Sequence, residues 1–250
     1  MIWICTGGWQ WLPGSGVLGG VICRALAQAG ANVVVTYNTS QAKAERLASE
    51  LSSAGQVKAI ALQADITAQM SIDALMAQTM DAFGRIDVLI NDAAYNRLIP
   101  FQDLQTLDEA VWNQIMQCNL TAPFLAMRSV APMMKRHGGR IVNIASIAGF
   151  APRGSSIAYA VSKAALLHLT RCMAVALAPD ILVNSVSPGY MIGTRMSSNL
   201  APNALEGYLK ASALHAAPTL EDVAAAVMTF VTTESITGQT LVVDSGMVFH

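Results

Sequence analysis

The chain has 250 residues, 53% of them hydrophobic and only 12% charged, with a formal net charge of −1. That length fits one large α/β domain or two small ones, and the apolar share is ample for a buried core. With no basic excess to hold a phosphate backbone, the composition argues against nucleic acid as a partner.

Apolar runs alternate with helical patterns along the chain. Residues 2–5 read as a short strand, and residues 18–29 as a helix with Leu18, Ile22, Leu26 and Ala29 on one face, closed by Gly30. A buried strand at 32–37 (NVVVTY) follows, then a helix at 42–54 and a strand at 57–63. A helix at 70–83 closes on Gly84, and 86–90 (IDVLI) is a strand. Residues 109–136 read as one long helical region stopped by His137-Gly138-Gly139. Then come a strand at 140–144, a helix at 157–177 ended by Pro179, a strand at 181–186, a helix at 219–231 and a last strand at 240–243. Seven strands alternating with helices predict an α/β fold, a seven-stranded parallel sheet doubly wound and flanked by helices. With no linker, repeat or low-complexity segment, 1–250 reads as a single domain. Residues 191–218 are long and poorly periodic, which suits a substrate lid.

Mean hydropathy is +0.43, so a membrane span has to be tested. The longest apolar stretches are interrupted: 164–178 contains His168, Thr170 and Arg171. That falls short of the roughly 18–20 clean apolar residues of a spanning helix. The first cationic side chain is Arg24, so no basic region precedes an apolar one, and a cytoplasmic location is expected. Cys5, Cys23, Cys118 and Cys172 lie far apart and read as reduced hydrophobes; no His, Cys, Asp and Glu set has metal-ligand spacing.

Glycine-rich sequence, TGGWQWLPGSGVLGG, follows the first strand. Small residues there let the backbone approach a pyrophosphate, and the next helix offers its N-terminal amides. The turn is longer than such a loop needs. It closes if Thr6-Gly7 joins directly to Gly14-Ser15-Gly16-Val17-Leu18-Gly19, which makes 8–13 an insertion carrying Trp9 and Trp11. The insertion is either a surface flap, the expectation adopted, or an aromatic cover over the cofactor. After the second strand the sequence runs Tyr37-Asn38-Thr39-Ser40, without the carboxylate that binds the ribose hydroxyls of NAD. NADP is therefore expected over NAD, with Asn38 and Thr39 as hydrogen-bond donors to its 2′-phosphate.

The strand at 140–144 delivers Ser146 just beyond its end; Tyr159 follows thirteen residues later, and Lys163 one helical turn after that. An i, i+4 pair projects from one helix face. An ammonium beside a phenol favours the phenolate by about 1–3 pKa units. Tyr159 is expected to protonate a carbonyl oxygen as hydride reaches the carbon, while Ser146 fixes that oxygen.

With these residues in place, the chain resembles the short-chain dehydrogenase/reductase family over essentially its whole length. The matching segments are Thr6-Gly7 with GSGVLG, Ala64-Asp65-Ile66, Asn91-Asp92-Ala93-Ala94, CNLTAPF, IVNIASIAG, YAVSK, VNSVSPG and ITGQTLVVDSG. The overall look is similar to 3-oxoacyl-carrier-protein reductases and to sugar or polyol dehydrogenases. The resemblance implies a single Rossmann-like domain and an NAD(P)-dependent oxidoreductase acting on a carbonyl or secondary alcohol. It implies a tetrad of Asn119, Ser146, Tyr159 and Lys163, with Asn119 holding a water and Lys163 also binding the nicotinamide ribose. Asp65 would meet the adenine with Ile66 beside it, Asn91 would support the strand ends next to Ala93, Pro188-Gly189 would pass the nicotinamide, and Thr194 would lie near its carboxamide or the pyrophosphate. The chain departs from the pattern at the insertion, at Val17 where many members have glycine, at Asp92, at Thr194 (one residue further from Gly189), and in a short segment before Ile236.

Substrate contacts are expected from 95–101, 147–153 and 190–215, where charge is sparse, so a small neutral carbonyl or alcohol is favoured over an anionic carrier. The alternative is a non-catalytic binding or regulatory protein with a spoiled glycine loop. The small-residue face of Ala164, Ala165, His168 and Cys172 and the terminal Met247 to His250 predict a homo-oligomer, a dimer or a homotetramer.

Overall fold

The computed structural model describes residues 2–6, 17–54, 57–194 and 202–249. Seven parallel strands form one sheet among them: β1 (Ile2–Thr6), β2 (Asn32–Tyr37), β3 (Ala59–Gln63), β4 (Val88–Asn91), β5 (Gly139–Ile144), β6 (Ile181–Pro188) and β7 (Thr240–Val243). Their order is β3-β2-β1-β4-β5-β6-β7. The chain winds outward from β1 to β3, returns to the other side of β1 and continues to β7. The order reverses between β1 and β4, and an open α/β sheet has its ligand crevice there, beyond the carboxyl ends of the strands. The register puts Thr6 beside Asn91, and Asn91 beside Asn143.

The connecting helices are α1 (Val17–Gln28), α2 (Gln41–Ser53), α3 (Gln69–Phe83), α4 (Glu109–Met116), α5 (Ala122–Met134), α6 (Ile157–Leu177), α7 (Pro202–Ala211) and α8 (Leu220–Thr232). Strand side chains alternate between faces, and the core divides accordingly. Val33, Val35, Val88, Ile90, Val142, Ile144 and Val186 pack against Leu18, Ile22 and Leu26 of α1 and Val223, Val227 and Phe230 of α8. Val34, Leu89, Ile141 and Val183 pack on the other face against Ile72 and Met76 of α3, Met127 and Met134 of α5, and Met173 and Leu177 of α6. Each such side chain contributes about 1.5–3 kcal/mol by leaving water. Both faces are covered, which is why the strands read as continuous apolar runs.

Several boundaries differ from the sequence reading. β4 starts at Val88 rather than 86, because Asp87 is taken up by the Arg85 guanidinium and gives its carbonyl to the Arg140 amide at 2.9 Å. β3 starts at Ala59, and β6 runs on to Pro188, held by pairing with β7. The expected helix at 109–136 is two helices joined by a π-helical turn, Gln117–Thr121. Pro123, just inside α5, lacks an N–H for the ladder, so the register changes ahead of it. Inside 191–218, read as irregular, α7 is helical; residues 195–201 lie outside the described residues. Among its described side chains one large one, Tyr208, is deeply buried, which gives little periodicity to read; a bond from its hydroxyl to the Asp244 carbonyl (2.7 Å) anchors the helix instead.

Among the described residues one helix, α6, is long and apolar enough to cross a membrane by length and composition alone. It carries Lys163 and Arg171, and one side of it is built into the core through Leu166, Thr170, Met173, Ala174 and Leu177.

Candidate active site

Two elements converge at the carboxyl edge of the sheet. β5 runs out through Ala145 to Ser146, whose Oγ caps a short 3₁₀ turn, Ile147–Gly149, by accepting from the Ala148 amide at 3.2 Å. α6 begins beside it: Ser156 Oγ accepts from the Tyr159 amide at 3.2 Å, which fixes Tyr159 in the first turn. Gly149 permits the approach. A Cβ there would stand 2.8 Å from Leu167 Cδ1 and 2.9 Å from the Lys163 carbonyl carbon.

Tyr159 and Lys163 are both buried, at 4% and 2% exposure. Burial pushes the Tyr159 phenol up to about 12, while a hydrogen bond with the Ser146 hydroxyl pulls it back. Lys163 Nζ donates to the Ile144 carbonyl at 2.8 Å and lies 5.8 Å from the centre of the Tyr159 ring. Burial pulls the ammonium down to about 8, although its neighbours Cys118 and Asp92 hold it up. The expectation that Lys163 lowers the Tyr159 pKa is therefore corrected. The ammonium is held by the Ile144 carbonyl behind the ring, and desolvation sets the phenol, with the Ser146 hydroxyl acting against it.

Asn119 is fully buried in the π-helical turn. Its Nδ2 donates to the Tyr95 carbonyl (2.9 Å) and to Ser162 Oγ (3.0 Å), while Oδ1 accepts from the Tyr95 amide (2.8 Å). Both side-chain donors are spent, so the amide ties Tyr95 to α6 and has no N–H left for a water. Ser162, between Tyr159 and Lys163 in YAVSK, is a partner that the sequence reading passed over.

The expected cofactor residues fall into three groups. Gly7, Gly14, Ser15, Gly16 and the insertion at 8–13 lie outside the described residues. Thr6, Gly19, Ala93, Pro188 and Gly189 sit at or just beyond the carboxyl ends of central strands or in the first turn of α1. Gly189 is required by close packing, since a Cβ would come 2.1 Å from Tyr208 Oη. The remainder are engaged in the protein. Leu18 packs in the core, and Ile66 is buried with Cys118 and Ala122. Asn91 Nδ2 donates to Asn143 Oδ1 at 2.8 Å, and Asn143 donates to Thr170 Oγ1 at 3.0 Å, a buried ladder joining β4, β5 and α6. Asp65 Oδ1 accepts from the Thr67 amide and hydroxyl at 2.9 and 2.6 Å. Thr194 Oγ1 donates to the Met191 carbonyl at 2.9 Å. At the end of β2 the Tyr37 and Asn38 carbonyls accept from the Ala64 amide and Gln63 Nε2, with Thr39 next in the chain.

Two features of the crevice fit a nicotinamide dinucleotide. Lys163 spends one of its three N–H groups on Ile144, leaving two for a ribose. Ser187 Oγ, one residue before Pro188-Gly189, is buried with no hydrogen-bond partner among the described residues, a state that normally signals a missing ligand or water.

Residues 16–248 match the family model described as enoyl-(acyl carrier protein) reductase. A ketoacyl reductase of the granaticin polyketide synthase of Streptomyces violaceoruber is 35% identical, covering 92% of this chain and 91% of its own. A 3-oxoacyl-[acyl-carrier-protein] reductase of Synechocystis sp. is also 35% identical, over 92% of each chain. A 7α-hydroxysteroid dehydrogenase of Bacteroides fragilis is 31% identical, over 94% and 92%. The crystal structure of a short-chain dehydrogenase/reductase from Burkholderia xenovorans superposes with a TM-score of 0.86 at 24% identity, covering 98% of this chain and 97% of the other, which shows the shared fold. The chain belongs to the short-chain dehydrogenase/reductase family and is an NAD(P)-dependent oxidoreductase. The binding-only alternative gains no support from these relatives.

Proposed function

We propose that the protein interconverts a small neutral carbonyl compound and its secondary alcohol, with Tyr159 as the proton-transfer residue and NADP(H) preferred over NAD(H). The observation that carries this reading is the buried Tyr159 ring in the first turn of α6, with Ser146 acting on its phenol from the end of β5 and Lys163 Nζ 5.8 Å from the ring centre. A bound nicotinamide would supply the hydride, held at the ribose by Lys163 and passed by Pro188-Gly189. Ser146 donates to the carbonyl oxygen and orients it. Tyr159 Oη gives that oxygen its proton as the carbon is reduced; the O–H bond of the phenol breaks and that of the alcohol forms. A phenol pushed up to about 12 is protonated throughout the neutral range, so it acts as the acid. Lys163 stabilises the phenolate left behind. Asn119 positions Tyr95 and Ser162 beside the site.

The preference for NADP rests on the absence of a carboxylate among Tyr37, Asn38, Thr39 and Ser40. The described part of the lid, α7, borders the substrate side, pinned by Tyr208 to the end of β7. Location in the cytoplasm and assembly as a homotetramer belong to the same reading. The test is oxidation of NADPH and of NADH by the purified protein against a panel of uncharged ketones and aldehydes and of 3-oxoacyl thioesters. Faster turnover of uncharged compounds with NADPH supports the proposal. A tenfold preference for NADH overturns the cofactor choice, and turnover confined to acyl-carrier substrates overturns the substrate class.

A further inference from the structure

We propose that Tyr208 is a positioning residue for hydride transfer, because its hydroxyl ties the lid helix α7 to the Pro188-Gly189 turn. The nicotinamide end of the cofactor and the substrate side of the crevice are then held by one contact. The inference rests on the cofactor reading above, in which that turn passes the nicotinamide.

Tyr208 is buried, at 8% exposure. Its hydroxyl donates to the carbonyl of Asp244, the first residue past β7, at 2.7 Å. The same oxygen fills the place that a side chain at Gly189 would take. A Cβ there would stand 2.1 Å from Tyr208 Oη and 2.9 Å from Asp244 Cα. The Gly189 amide in turn donates to the Val243 carbonyl at 2.9 Å, and Pro188 pairs with Val243 in the sheet. The turn, the end of β7 and the phenol are therefore packed against one another. The Tyr190 ring, next in the chain, lies 5.5 Å from the Tyr208 ring.

The segment after β7 also receives the chain that leaves α7. The Ala213 and Leu214 amides donate to the Gly246 and Ser245 carbonyls at 3.2 and 3.1 Å. Asp244 holds that segment in shape by accepting from the Gly246 and Val248 amides at 2.9 and 2.7 Å. These bonds keep α7 docked whether or not the phenol is present. What the hydroxyl adds is contact with Gly189, and so the placement of the turn. Hydride transfer needs the reacting carbons about 3–3.5 Å apart, and small displacements are costly. Tyr208→Phe keeps the ring and its contact with Tyr190 and removes only this hydroxyl.

The experiment compares NADP⁺ with 2′-phospho-ADP-ribose, the same molecule without its nicotinamide, by calorimetric titration. Tyr208→Phe is expected to weaken the Kd for NADP⁺ about tenfold, the scale of one hydrogen bond, and to leave the Kd for the fragment unchanged. Its kcat/KM should fall, with the pH dependence of kcat/KM unmoved. Equal weakening of both ligands shows general loosening of the fold and overturns the proposal, as does no change in either. The wild type gives a second measurement that stands even if the variant does not fold. Coupling is reciprocal, so NADP⁺ should slow hydrogen exchange at the Ser212, Ala213 and Leu214 amides more than the fragment does. Equal slowing by the two overturns the proposal. Failure of the wild type to bind either NADP⁺ or NAD⁺ overturns the cofactor reading, and this proposal with it.

Discussion

Lys163 shows how burial decides chemistry at a single residue. Its Nζ is held by the Ile144 carbonyl at 2.8 Å, and burial brings the ammonium down to about 8. A depressed amine loses its charge as pH rises through that value. Carbonyl reduction is thus expected to be flat below about pH 8 and to fall above it, read as kcat/KM against pH. Lys163→Ala should remove that alkaline limb and weaken cofactor binding; survival of the limb in the variant would contradict the assignment. Ser146→Ala removes the donor that fixes the substrate oxygen, so turnover should fall about 100-fold without displacing the limb. Ser146, Tyr159 and Lys163 were legible in the sequence because their order and spacing place them on a strand end and one helix face. The direction of the Tyr159 shift was not, because spacing carries no information on how deeply a ring is buried. Asn119 was legible as a member of the set, but its partners, Tyr95 and Ser162, arise only because the expected helix at 109–136 breaks at Gln117–Thr121.

At the scale of elements, the site depends on how closely the end of β5 and α6 can lie. Gly149 sets that distance, and Gly149→Ala places a Cβ 2.8 Å from Leu167 and 2.9 Å from the Lys163 backbone. The neighbours are backbone and core, so the helix must shift, at a cost of about 1–3 kcal/mol. Thermal unfolding should register that loss, and kcat should fall because Ser146 and Tyr159 move apart. Unchanged Tm and kcat would show that the contact is slack. Strands and helices with strong apolar periodicity, such as α6 at 157–177, were legible at the residue. The π-helical turn and α7 were not. The first follows from Pro123 and the Asn119 side chain, and the second from a tertiary anchor at Tyr208. Neither leaves a periodic signal.

At the scale of the molecule, the sheet is covered on both faces, yet α6 keeps an uncovered stripe. Val161 (40% exposed) and Val175 (82% exposed) lie on it with Ala164, His168 and Cys172 between them. An apolar stripe along a 21-residue helix fits a closed contact with a second copy. The expected result by light scattering at micromolar concentration is a dimer or tetramer. Val175→Lys should shift the population toward smaller species, and a monomeric wild type would contradict the reading. The doubly wound topology was legible from the alternation of apolar runs, and the face of Ala164, His168 and Cys172 from its helical spacing, whereas Val161 and Val175 join that face only once burial separates the two sides of α6.

The central claim is that the Tyr159 hydroxyl delivers the proton in an otherwise ordinary dinucleotide-binding crevice. Tyr159→Phe tests it most directly, since the ring, its packing and its place in α6 are kept and only the hydroxyl goes. With a good carbonyl substrate and saturating cofactor, kcat is expected to drop by about 10²–10⁴-fold, with the Kd for the cofactor unchanged. If the variant keeps more than about a tenth of wild-type turnover, well above what loss of a general acid allows, the proton comes from elsewhere and the assignment of Tyr159 is wrong.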